Sequence, residues 1–230
     1  MKRLDTGTII MALIISTLIF LSGVFFGWSI NKEKISYMKG QIDDLNNDLE
    51  AFQLEFLFLN FIGENATCPL LQNRIIQINQ QSYELGNRIQ NYENDEEFKD
   101  MKSLDELKRD YYRLLIRYWL LSKKMDSACK SQGSVSVLYF FSRNCSMCDE
   151  ESFLLTYFKK KLNEKLLVFA LDSDFDDPFI KVLKDYYGIS EYPSVVIEDN
   201  LYEGFKNRDE LKDLICKESP DLEICTSEGP

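Results

Sequence analysis

The run Val135-Ser136-Val137-Leu138-Tyr139-Phe140-Phe141-Ser142-Arg143-Asn144-Cys145-Ser146-Met147-Cys148 decides the reading of this chain. Its first seven residues form a compact apolar, β-rich stretch. Past Cys148, the residues Phe153, Leu154, Tyr157, Phe158 and Leu162 fall at helical spacing. Two cysteines three positions apart therefore stand where a strand hands over to a helix. Backbone N–H groups at a helix start stabilise a thiolate, so this is a placement for thiol redox chemistry. Downstream the pattern alternates: strand 166–171, helix 178–187, strand 194–198, a turn at Asp199-Asn200, strand 201–205 and helix 208–217. The predicted order is βαβαββα, an α/β fold. Asp177 caps the helix that Pro178 begins, which accounts for part of the acidic group Asp172, Asp174, Asp176 and Asp177. A calcium loop would need Gly at its sixth place and Glu at its twelfth, where Asp177 and Leu183 stand.

Upstream, residues 6–30 carry no charge, and these 25 residues make about 37 Å of helix, more than the ~30 Å of bilayer hydrocarbon. The apolar run continues to Trp28 with no small-residue cleavage site, which favours an uncleaved membrane anchor over a signal peptide. Lys2 and Arg3 precede it while Lys32, Lys34 and Lys39 follow it, so loop charge does not orient it. A heptad seam then runs through Ile35, Met38, Ile42, Leu45, Leu49, Phe52, Phe56 and Leu59. A second uses Leu71, Ile75, Ile78, Ser82, Leu85, Ile89 and Tyr92. A third follows a capping box of Ser103 and Glu106, with Leu104, Leu107, Tyr111, Leu114, Tyr118, Leu121 and Met125 on one face. Residues 32–130 thus read as a three-helix stalk with an antiparallel hairpin, and a homo-oligomeric coil is the alternative the same heptads allow. Helices of ~25 residues from about 68 and about 104 would bring Cys68 beside Cys129, either as a disulfide stapling the hairpin or as two separate buried thiols. Asn65-Ala66-Thr67 is a glycosylation sequon that matters only in an extracytoplasmic segment.

From about residue 134 to 217 the chain resembles the thioredoxin-fold superfamily. The resemblance rests on the strand followed by Cys145-Ser146-Met147-Cys148, on the element order, and on Tyr192-Pro193-Ser194 opening the third strand. It implies that Pro193 is cis and that Tyr192 offers its backbone to a bound peptide; a trans proline starting an edge strand is the plainer reading. It also implies thiol–disulfide exchange in which Cys145 is the exposed member that attacks or accepts, and Cys148 resolves the mixed disulfide. There are departures. Asn144 replaces the usual Trp before the first cysteine, and Ser146-Met147 replaces Gly-Pro. Tyr139 stands where many thioredoxins carry a buried acid, which removes an obvious proton acceptor for Cys148. Asp149, Glu150 and Glu151 disfavour a Cys145 thiolate, while Arg143 favours it.

Composition narrows the rest. The chain has 230 residues, no histidine, 27 basic against 38 acidic residues and a net charge of −11. Cys-His and Ser-His-Asp catalysis are excluded, and nucleic acid is a poor partner for so acidic a chain. Zinc would need four ligands, and the remaining pair Cys216 and Cys225 has the wrong spacing; no metal or cofactor is called for. Cys216 and Cys225, with Pro220 between them, fit a bridge closing the last helix onto the tail. The expected organisation is a membrane anchor at 1–31, a helical stalk at 32–130 and a thioredoxin-like domain at 134–230. The expected function is an oxidoreductase in the cell membrane, single-pass, with its C-terminal domain extracytoplasmic. It would exchange disulfides with cysteine-containing extracytoplasmic proteins and be recharged by a membrane redox partner. The rival is a tethered assembly or adaptor protein whose cysteine pairs are purely structural.

Overall fold

The computed structural model describes residues 6–62, 68–93, 102–129 and 134–226. Helix α1 runs without a break from Thr6 to Ile62, so the apolar anchor segment and the first heptad seam are one element rather than two. Asn31-Lys32-Glu33-Lys34 at the junction holds no proline or glycine, and nothing there stops a helix. Among the described residues this is the one helix long and apolar enough to cross a membrane, with a mean hydropathy of 2.4 in its apolar part. Ile10 through Phe26 expose their side chains, while Ile35, Met38, Ile42, Leu45 and Leu49 are buried against α2 (Cys68–Glu93) and α3 (Lys102–Cys129). Helix α3 starts at Lys102, so Ser103 lies inside it and does not act as the first residue of a capping box. Phe52, Phe56, Leu59, Cys68, Leu71 and Cys129 have side chains outside the described residues, as does all of the Asn65 sequon.

The sheet holds β1 (Val135–Phe141), β2 (Leu166–Asp172), β3 (Ser194–Ile197) and β4 (Asn200–Glu203) in the order β2-β1-β3-β4. β1 and β2 are parallel with Val135 opposite Leu166, and helix α4 (Cys148–Leu162) makes the crossover. β3 returns antiparallel to β1, pairing Ser194 with Phe140, and β4 pairs antiparallel with β3. The β3–β4 turn is Glu198-Asp199, one residue earlier than the Gly-free sequence suggested. Glu198 is held at φ 56° by its own carboxylate, which accepts from the Ser136 N–H and the Lys123 ammonium, both at 2.7 Å.

Each face of the sheet has its own cover. Val135, Val137, Tyr139, Leu166, Val195 and Ile197 pack under α4 and α6 (Arg208–Glu218), with the short α7 (Glu223–Thr226) adding Ile224. On the other face Leu138, Phe140, Leu167, Phe169 and Val196 meet α5 (Pro178–Tyr187) and the N-terminal helices in one continuous apolar cluster. Because both faces are covered, β1 reads as a near-continuous apolar run, with Ser136 its one small polar member, rather than an alternating one.

Helix α3 is buried on two sides, which its single predicted seam did not show. Leu107, Leu114 and Leu121 are buried along one row, and Tyr112, Leu115 and Trp119 form a second buried row. Tyr118 meets Phe169 edge-on at 5.1 Å and donates to the Ile75 carbonyl at 3.0 Å; Tyr112 meets Phe175 at 5.2 Å. Gly86 of α2 admits the Tyr111 hydroxyl, which donates to the Ser82 carbonyl at 3.0 Å; any side chain at Gly86 would collide with it.

Candidate redox active site

Three local features build the site. Strand β1 ends at Phe141, and the loop after it is pinned by Asp174, whose carboxylate accepts from the Ser142 hydroxyl at 3.0 Å and the Arg143 N–H at 2.8 Å. Asp172 holds Asp174 in turn through the Asp174 N–H at 2.9 Å. The acidic group 172–177 is therefore a scaffold for the cysteine loop as well as a helix cap. Cys148 then opens α4, with Met147 as an N-cap that offers no side-chain bond, leaving first-turn N–H groups free to face a nearby anion.

Cys145 and Cys148 are joined by a disulfide with their Cα atoms 5.5 Å apart. They differ in exposure: Cys148 is 4% exposed and Cys145 is half-buried. Tyr139, buried under α4, donates to the Cys148 carbonyl at 2.6 Å. Burial first, and the charges of Glu151 and Asp149 second, push the Tyr139 hydroxyl well above its ordinary pKa, so it stays a donor.

Glu151 is not on the solvent side of the first turn. It is fully buried, and neither carboxylate oxygen has a hydrogen bond of ordinary length among the described residues. Burial raises its pKa to about 7, and the backbone and ammonium of Lys206 offset this only in part. A protonatable acid thus sits one helical turn after Cys148, although the strand position that might have held one is Tyr139. The spacing of Cys148, Glu151, Leu155, Phe158 and Leu162 places Glu151 on the inward face and was the available signal.

Arg143, expected to favour the thiolate, is paired with carboxylates instead: 3.9 Å from Glu93 and 3.8 Å from Asp172. Lys108 of α3 is buried in the same group, 2.5 Å from Glu93 and 3.4 Å from Asp172. This network brings α2 and α3 to the rim of the cysteine loop, and no local motif announced it.

Tyr192–Pro193 is a cis bond, with Pro193 buried and Tyr192 half-buried beneath the Lys184 ammonium, 5.5 Å from the ring centre. Since Ser194 pairs with Phe140, Pro193 lies at the same end of the sheet as the cysteine loop. Glu203 holds the segment before it by accepting from the Ser190 N–H, the Ser190 hydroxyl and the Glu191 N–H at 2.6–3.0 Å. A helix-opening cysteine pair after the first strand, a parallel crossover and a cis-proline at the start of an antiparallel third strand now stand together.

This arrangement is thioredoxin-like. No family model matches the chain, and no curated protein matches it. Among solved structures it is similar to a malarial protein at 22% identity over 37% of this chain and 97% of that one, TM-score 0.33. It is likewise similar to thioredoxin-2, described as a component of the malaria parasite protein secretion machinery, at 21% identity over 36% and 82%, TM-score 0.33. Chloroplastic thioredoxin z follows at 18% identity over 41% and 87%, again with a TM-score of 0.33.

The remaining cysteines lie apart from this site. Cys216 and Cys225 are joined by a disulfide that ties α6 to α7 beside the apolar cluster under α4. Cys68 opens α2 and Cys129 closes α3, their side chains lying outside the described residues.

Proposed function

We propose that this protein is a membrane-tethered thiol–disulfide oxidoreductase acting on cysteine-containing extracytoplasmic proteins. The observation that carries the reading is the unequal pair at the start of α4: a half-buried Cys145 and a buried Cys148 beside free helix N–H groups. In the oxidised state a substrate thiolate attacks Cys145 Sγ, the Cys145–Cys148 bond breaks, and Cys148 leaves as a thiolate that takes up a proton. A second substrate thiolate then attacks the substrate sulfur of the mixed disulfide, releasing a substrate disulfide and the reduced pair. Run backwards, the same steps reduce a disulfide, with Cys148 resolving. Backbone groups of Tyr192 beside Pro193 would line up an extended peptide by strand addition.

Tethering is supported by the exposed apolar part of α1, and an oxidising compartment by the Cys216–Cys225 bond. A membrane redox partner would then restore the pair. The test is Cys148→Ser in cells. It should accumulate mixed disulfides on Cys145, Cys145→Ser should trap none, and Tyr192→Ala should lower the yield. The rival reading, a tethered adaptor with structural disulfides, takes support from the bonded state of both described pairs. A Cys145–Cys148 potential below about −300 mV, together with no trapped adducts, would favour it.

A further inference from the structure

A cavity of about 660 Å³ opens beside the cysteine pair, between α4 and the hairpin of α2 and α3. It does not lie on the Tyr192–Pro193 side. β2 and β3 flank β1 on opposite edges, and the cavity is bounded by Val168, Ala170 and Asp172 of β2. Along α4 its wall is formed by Cys148, Ser152, Thr156 and Lys159, one face of the helix over three turns. The opposite wall is α2, from Glu93 near Arg143 at the cysteine end to Asn79 at the far end. The shape is a trough with a reactive disulfide at one end and Lys159 at the other.

Lys159 is the unusual member. It is 8% exposed, it donates to the Asn79 side-chain carbonyl at 2.8 Å, and it lies 5.2 Å from the centre of the Tyr83 ring. No carboxylate pairs with it among the described residues. Glu93 and Asp172 are taken by Lys108 and Arg143, and Asp105 and Asp149 are exposed. Burial lowers its pKa to about 8, so it is still mostly protonated at neutral pH. A buried ammonium with donors to spare, facing a cavity, is a site for an anion. Side chains lean toward the helix N-terminus, so the ammonium stands roughly 10 Å from the cysteines, less than the ~16 Å that separates the two ends of this wall along α4.

We propose that the trough binds low-molecular-weight thiols that carry a carboxylate some 10 Å from sulfur, the carboxylate pairing with Lys159 while the sulfur meets Cys145. This rests on the exchange activity put forward above and adds a second substrate class, entering from the β2 side. Two such thiols lose two protons and two electrons to become one disulfide, and the Cys145–Cys148 bond takes up both pairs to become a dithiol. The intermediate is a bond between the first thiol's sulfur and Cys145, broken when the second thiol attacks the small-molecule sulfur.

The experiment uses the oxidised full chain in detergent micelles and follows reduction of the pair by quenched alkylation, with 6-mercaptohexanoate and 6-mercaptohexanol as a matched charged and neutral couple. Lys159→Gln should slow 6-mercaptohexanoate about tenfold, the size of one charge-assisted hydrogen bond, and 6-mercaptohexanol by less than about twofold. Asn79→Asp gives Lys159 an internal counter-charge at the same volume, so it should keep the fold and show the same selective loss. Equal slowing of both thiols, or no slowing in either variant, would overturn the site. If neither thiol nor dithiothreitol reduces the wild-type pair, the exchange reading itself falls and this one with it. Ready reduction by the neutral thiol, without charge discrimination, removes only the trough.

Discussion

At the scale of single residues, Glu151 is a buried carboxyl whose charge the fold disfavours. Its carboxyl titrates at 4.5 in an open chain and at about 7 here, so the folded protein keeps an extra proton between those values. The stability this gives is full below about pH 4.5 and is lost as the pH rises through about 7. Glu151→Gln removes the buried anion, so at pH 8 it should stabilise by about 1–3 kcal/mol and at pH 5 change little. Thermal melts at the two values check this, and a pH-independent difference would refute the assignment. Cys145 and Cys148 should also separate chemically: in the reduced protein iodoacetamide should modify Cys145 first, read by peptide mass, because Cys148 is 4% exposed. The difference in exposure between the two cysteines was legible from their position before a helix. The inward turn of Glu151 was legible only in principle, because a carboxylate among acids at a helix start reads as a dipole partner.

At the scale of elements, α5 shows how one side chain can close several accounts of hydrogen bonding. Asp177 caps the helix through the Phe179 N–H at 2.9 Å, Pro178 takes the first position, and Gly188 ends it at φ 72°. The same carboxylate is fully buried and sits 3.3 Å from Arg113 and 3.8 Å from Arg109 of α3. Asp177→Ala should therefore cost about 2–4 kcal/mol, more than an isolated cap, and Asp177→Asn should recover only the capping part. If the arginines contributed nothing, Asp177→Asn would keep the wild-type denaturant midpoint and Asp177→Ala would lose only the cap. At the other end, the Cys216–Cys225 bridge spans nine positions. Replacing both with Ser should lower stability by roughly 2–3 kcal/mol in the chain-entropy model while leaving Cys145–Cys148 exchange within about twofold. The proline-capped helix could be read from sequence. The capping box of Asn207 and Glu210 at the start of α6 was there to be read and is complete in the structure.

At the scale of the whole molecule, the helices and the sheet share a core rather than standing apart. Tyr118 on Phe169, Tyr112 on Phe175 and the Lys108–Asp172 pair cross the boundary between the N-terminal helices and the sheet with its loops. Amides of α3 and β1 should therefore exchange hydrogen with the same opening free energy, and Phe169→Ala, at about 3–5 kcal/mol, should lower both together. Exchange mass spectrometry would contradict a shared core if α3 opened alone. For the proposed topology, protease added to intact cells or spheroplasts should reach the segment after α1; protection until lysis would reverse it.

Local chemistry alone dictates a 25-residue uncharged helix, three heptad seams, a strand running into a cysteine pair, and a proline-capped helix. These depend on neighbours three or four positions apart and survive without knowledge of the fold. Long-range packing is what buries α3 on two sides, lets Asp172 and Asp174 organise the cysteine loop, and joins Lys159 to Asn79 at the end of a cavity. Lys159 and Asn79 are 80 positions apart. Contacts of that range arise when buried apolar faces choose their partners, and a heptad states that a face must be covered without stating by what.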